Sequence, residues 1–167
     1  MLGKLDNSEI EEVLKEQFLG RIGCHANDLT YIVPVSYAYD GRFIYGISKN
    51  DGFKLDLMRK NPKICFEVER IENMANWKTV IAWGTFEEVS DPAERKEALH
   101  LLLDRNLPSV SSETVHLSPD WPFKPEDANS IEGVVYRVEL KDKTGRFESK
   151  KEVTQSKSFE RPVDGLY

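Results

Sequence analysis

The chain has no apolar run approaching the roughly 18 residues that a membrane-crossing helix needs. Its opening stretch, MLGKLDNSEIEEVLKEQF, carries charge where a signal peptide would be apolar. Neither a membrane span nor export is expected, and cytoplasmic residence is. Cysteine is scarce: Cys24 and Cys65 both fall in strand-like runs, and no CxxC spacing points to zinc or thiol redox chemistry. They read as buried free thiols, and no metal site is expected. A surplus of positive charge is missing as well. Lys and Arg number 23 against 29 Asp and Glu, a formal net charge of -6. Broad nucleic-acid binding is thereby excluded, since it draws its affinity from clustered cations. What is present is ordinary for one soluble domain with its own core: 167 residues, 40% hydrophobic and 10% aromatic.

Local signals divide the chain into a few helices and several short strands. Ser8-Glu-Ile-Glu11 has the form of a capping box, and Ile10, Val13, Leu14, Phe18 and Leu19 follow at helical spacing, which predicts an amphipathic helix over about 7–19. Strands are predicted at 20–25, 31–39 and 42–48, the last two joined by a tight hairpin at Asp40-Gly41. Pro34 cannot donate to a ladder, so its strand belongs at an edge or a bulge. A short helix over 54–60 stops before Asn61-Pro62. Strands follow at 63–69 and 76–89, with Gly84 placed for a bend. Asp91 and Pro92 supply the cap and first turn of a helix to about 104. Four prolines make 107–129 an irregular excursion, 131–140 returns as a final strand, and the polar chain after Arg146 reads as a frayed tail. Six strands with local connections predict a mainly β fold with a few helices, a six-stranded antiparallel barrel over 1–147 followed by the tail 148–167.

The stretch YGISKNDGFK, residues 45–54, carries the chemistry. Alternation puts Ile44, Gly46 and Ser48 on one face and Tyr45 and Ile47 on the other. Asn50-Asp51-Gly52 then turns the chain into a helix whose first amides are free to meet an anion. With the Ser48 hydroxyl and the Lys49 and Lys54 ammonium groups, the junction has the donors that a phosphate requires. Two ordinary exposed lysines would look the same. A second cluster, NWKTVIAWG, sends Trp77 and Thr79 out of one strand face and Lys78 out of the other. An indole beside a hydroxyl suits a flat ligand with a phosphate tail.

Taken in order, residues 20–69, then NWKTVIAWGTFEEV and DKTGR, resemble the pyridoxamine 5'-phosphate oxidase-like FMN-binding split barrels, nearest the nitroimidazole-resistance-protein branch, over about 18–147. The resemblance implies a six-stranded split β-barrel that forms a homodimer and holds FMN at the subunit interface. It further implies that Val33, Pro34, Val35 and Ser36 line the isoalloxazine and that Gly46, Ile47, Ser48, Lys49 and Lys54 form the phosphate turn. Trp77, Lys78 and Thr79 would contact phosphate or ribityl, with Arg21 reaching the flavin and Thr144, Gly145 and Arg146 closing the site. One departure stands out: that branch commonly carries a histidine near the flavin where this chain has Ile47. His25, His100 and His116 have no acid or nucleophile partner at an informative spacing and read as structural. The leading expectation is an FMN-dependent oxidoreductase passing electrons or hydride from a reduced nicotinamide to a small organic acceptor, with no catalytic side chain identified. A flavin carrier or stress-related sensor is the alternative, and a barrel holding haem or a deazaflavin is a third.

Overall fold

The computed structural model describes residues 1–105 and 131–150. The excursion expected over 107–129, His116 within it, and the tail beyond residue 150 lie outside the described residues. The described chain forms strands β1 (Leu2–Lys4), β2 (Leu19–Ala26), β3 (Leu29–Ser36), β4 (Ala38–Tyr39), β5 (Phe43–Ser48), β6 (Lys63–Asn73), β7 (Asn76–Glu88) and β8 (Val134–Glu148). Three helices accompany them: α1 (Asn7–Glu16), α2 (Phe53–Lys60) and α3 (Pro92–Leu103). The strands make one antiparallel sheet in the order β3-β2-β6-β7-β8-β5-β4, with β1 paired to the far end of β8. It is an open barrel, because β3 and β4 at the two ends of that order are not joined. Pro34 lies on edge strand β3, opposite Arg21, so its missing N–H breaks no interior ladder.

Eight strands stand where six were expected, for two reasons. The predicted strand 31–39 divides at Tyr37, whose N–H donates to the Phe18 carbonyl and whose buried hydroxyl donates to the Leu14 carbonyl. The short β1 has no alternating pattern of its own and is held by β8. The last strand is also longer than 131–140. It runs to Glu148, paired on both sides near its end, and Lys150 N–H still donates to the Ala75 carbonyl, so the chain just after Arg146 is not frayed. Near Gly84 the β7–β8 register shifts, and a Cβ there would lie 2.3 Å from the Glu139 carbonyl, so the expected bend is present and needs glycine.

The cap of α1 is Asp6, not Ser8. Asp6 accepts from Glu9 N–H at 2.9 Å and Glu9 returns the bond to Asp6 N–H at 3.0 Å. Leu5 and Ile10 lie together over Gly145, a staple that fixes where the helix begins. Glu11 is therefore free for another task, and it accepts from Tyr39 and Lys143. The helix ends at Glu16 instead of 19, because Leu19 pairs with Ser36 as the first residue of β2. Its apolar face, Ile10, Val13 and Leu14, joins the main core with Leu55, Leu57 and Met58 of α2. A second small core of Val89, Ala98, Leu99, Ile131 and Val135 lies under α3.

Candidate functional site

The junction of β5 and α2 gathers hydrogen-bond donors around an open position. Gly52 caps α2 without a side-chain bond, and a Cβ on it would lie 3.1 Å from Ser48 Oγ, so the hydroxyl sits against the first turn of the helix. Gly52 N–H turns back to the Lys49 carbonyl, and the Leu55 and Asp56 amides bond the Gly52 carbonyl. The Phe53 and Lys54 amides are left without an acceptor among the described residues. Lys54 is half-buried, its Nζ 5.2 Å from the centre of the Tyr136 ring, and no carboxylate pairs with it among the described residues. Burial holds its ammonium below the ordinary lysine value, against a weaker opposing effect of the Cys24 thiol. Lys49 and Asp51 are both exposed. Hydroxyl, amides, helix dipole and a half-buried cation thus converge with no anion to satisfy them among the described residues.

Tyr136 closes the floor of this junction. It is Gly46's cross-strand partner, and a Cβ on Gly46 would lie 2.4 Å from the Tyr136 hydroxyl, so glycine is what lets the phenol lie flat across β5. Ile47 points the other way and packs beneath α3, on the face opposite Ser48. That packing accounts for its apolar character. No signal within 45–54 announces Tyr136; an aromatic opposite a strand glycine is informative only once the register is known.

The second cluster assembles elsewhere. Thr79 Oγ1 donates to Glu67 Oε1 at 3.1 Å, and Arg21 Nη1 reaches Glu67 and Glu69 at 3.0 Å each. Trp77 Nε1 donates to Glu148 at 3.3 Å. Lys78, on the opposite face as expected, lies 3.5 Å from Glu9 and 3.6 Å from Glu12 of α1. Arg146 pairs with Thr79 in register and is exposed; Thr144 is exposed two residues earlier, and the Gly145 between them is buried under Leu5. Ser48 pairs with Val134, at the start of β8, and Thr79 with Arg146, twelve positions further along. At about 3.3 Å per residue that is on the order of 40 Å of strand. Among the described residues no hydrogen bond or ion pair joins the two groups.

Edge strand β3 lies at one end of the sheet order. It has one neighbour, so alternate backbone groups along it face away from β2 without a ladder partner. Val35 is buried, Val33 half-buried and Pro34 exposed. Ser36 Oγ accepts from Arg105 Nη1 at 2.6 Å, and the same nitrogen donates to the Tyr37 carbonyl at 2.8 Å. Arg105 is a site-adjacent residue that the sequence did not announce; burial lowers its guanidinium to about 10. Beside β3, the outer face of β2, β6 and β7 forms an apolar groove of about 540 Å³ lined by Gly23, Ile32, Cys65 and Trp83, with Ile32 66% and Trp83 47% exposed. His25 stands on its rim with Nδ1 3.0 Å from Thr30 Oγ1, and His100 is exposed on α3.

An open antiparallel barrel of this strand order, with three helices, defines a split-barrel protein. A family model described as pyridoxamine 5'-phosphate oxidase matches residues 6–147, and the chain belongs to that family. An uncharacterized protein of Rhizobium meliloti (strain 1021) is 28% identical over 154 residues, 85% of this chain and 92% of that one. Among solved structures, an FAD-binding protein from Mesorhizobium loti superposes with a TM-score of 0.68 at 26% identity, covering 89% of this chain and 99% of its own. A putative 5-nitroimidazole antibiotic resistance protein from Bacteroides thetaiotaomicron gives 0.66 at 16% identity, over 88% and 87% of the two chains. At that identity the likeness is one of fold.

Proposed function

We propose that this protein binds FMN and acts as an oxidoreductase in the form of a homodimer. The observation that carries the reading is Lys54: a half-buried cation with no carboxylate partner among the described residues, set beside Ser48 and the uncapped start of α2 in a chain of this family. A phosphate dianion satisfies all three at once. The FAD-binding relative from Mesorhizobium loti supports a flavin, whose phosphate-bearing tail is common to FMN and FAD. When bound, FMN supplies the hydride and electron transfer from a reduced nicotinamide to a small organic acceptor. The chain's own work is then to hold the tail at Ser48, Lys49 and Lys54, to present unpaired backbone groups of β3 to the ring edge, and to exclude water.

The two-chain reading starts from the division of the expected site: Trp77, Thr79 and Arg146 make no hydrogen bond or ion pair with Ser48 or Lys54 among the described residues, and a second copy seated on the apolar groove would bring the two groups together. The Thr79–Glu67–Arg21 network fits this arrangement, because Arg21 offsets a carboxylate that would otherwise repel the partner's phosphate. The test is the visible absorption of gently purified protein, with release and identification of the chromophore. A flavin spectrum that yields FMN is expected. A Soret band, or a colourless protein that ignores added FMN, overturns the proposal. Oxidation of NAD(P)H with quinone or nitroaromatic acceptors separates turnover from simple carriage.

A further inference from the structure

Tyr136 does more than its packing requires. Covering Gly46 and stacking against Phe86, with ring centres 5.8 Å apart, needs only an aromatic ring, and phenylalanine would serve. The residue is 1% exposed, yet its hydroxyl makes no hydrogen bond among the described residues. A buried phenol without a partner costs stability, so a hydroxyl kept there needs a use. Among the described residues the one fully buried side-chain nitrogen or oxygen that lacks a partner is Arg105 Nη2; the Tyr136 hydroxyl therefore keeps an opening to accessible space. The hydroxyl lies over Gly46, two residues before Ser48 on the same face, and the ring carries the Lys54 ammonium above it.

We infer that the Tyr136 hydroxyl is a further ligand-positioning group, donating to the phosphate of the flavin tail alongside Ser48 and Lys54. The inference rests on the flavin reading given above. Burial raises the phenol well beyond its ordinary range, so it is a neutral donor at every working pH and adds no charge of its own against the dianion. Gly46 acquires a second role: it leaves the volume that the hydroxyl occupies.

The test is Tyr136→Phe, titrated with FMN and with riboflavin and melted without ligand, beside the wild type. FMN affinity is expected to fall about ten-fold or more, as for loss of a hydrogen bond to a charged group, while riboflavin affinity stays as it was. The unliganded variant is expected to melt at the same temperature or higher, since a donor without a partner has been removed. A merely structural tyrosine gives the opposite pattern, a lower melting temperature with unchanged FMN affinity, and that result overturns the inference. Equal losses for FMN and riboflavin overturn it too, since the hydroxyl would then be reading another part of the ligand. A wild-type protein that binds neither flavin sinks the functional reading itself, and the inference falls with it.

Discussion

Replacing Lys54 by methionine should strengthen the empty protein and weaken the loaded one. The side chain is half-buried over Tyr136, near Cys24, with no carboxylate in reach among the described residues. Methionine keeps most of the stem's packing and removes only the ammonium. Because the folded state holds this ammonium below its ordinary value of 10.5, the protonated form is disfavoured on folding. The sign is therefore unfavourable at neutral pH, and the penalty disappears only as pH climbs past the unfolded lysine value. Lys54→Met should accordingly melt higher than wild type without ligand at pH 7, and the difference should shrink toward pH 10–11. Binding moves the other way. A hydrogen bond to a charged group contributes about 1.5–3 kcal/mol, which corresponds to roughly ten- to a hundred-fold in the FMN dissociation constant. Riboflavin, which lacks the phosphate, should bind both proteins alike. Calorimetric melting and fluorescence titration read the two effects separately. Equal loss for FMN and riboflavin, or a lower melting point for the unliganded variant, would refute the reasoning.

Three further outcomes can be checked. Light scattering should find a dimer, and Trp83→Glu or Ile32→Glu, which puts a charge into the apolar groove, should give monomers that lose flavin; a monomer with full flavin occupancy contradicts the shared site. Gly46→Ala should destabilise the fold by about 1–3 kcal/mol in urea titration, through overpacking against Tyr136, and an unchanged midpoint would remove the assigned role of that glycine. Asp6 is held below the ordinary carboxylate value, chiefly by the Glu9 amide and next by the Ser8 hydroxyl. Its contribution is present above that ordinary value and lost as pH falls through the lowered one, so Asp6→Asn should flatten the acid limb of stability against pH.

Elements whose boundaries are set by neighbouring residues were legible from the chain alone. Asp40-Gly41 turns the hairpin with Gly41 at φ +104, Asn61-Pro62 stops α2, and Asp91 caps α3 through the Ala93 and Glu94 amides. Where two local signals competed, a distant contact chose between them. Asp6-x-x-Glu9 and Ser8-x-x-Glu11 both satisfy the capping-box pattern, and the packing of Leu5 over Gly145 selects the first. The length of β8 and the existence of β1 depend on each other across most of the chain, so neither could be read locally. The grouping of Ser48, Gly52 and Lys54, which the proposal reads as an anion seat, was legible because the three are close in sequence. Tyr136 and Arg105 were not, since register brings the first against Gly46 and the end of α3 brings the second against Ser36, each from far along the chain.

An open sheet has two free rims, and each is an invitation to add another strand. Here both are poor templates for growth. Pro34 leaves a gap in the donors along β3, and β4 at the other rim is only two residues long. Rim-to-rim pairing is thus disfavoured at both edges, even though a groove bearing Ile32 and Trp83 lies on the adjoining face. The proposed dimer would use that face instead, and a face-to-face contact between two copies closes on itself, whereas edge-to-edge association has no natural end.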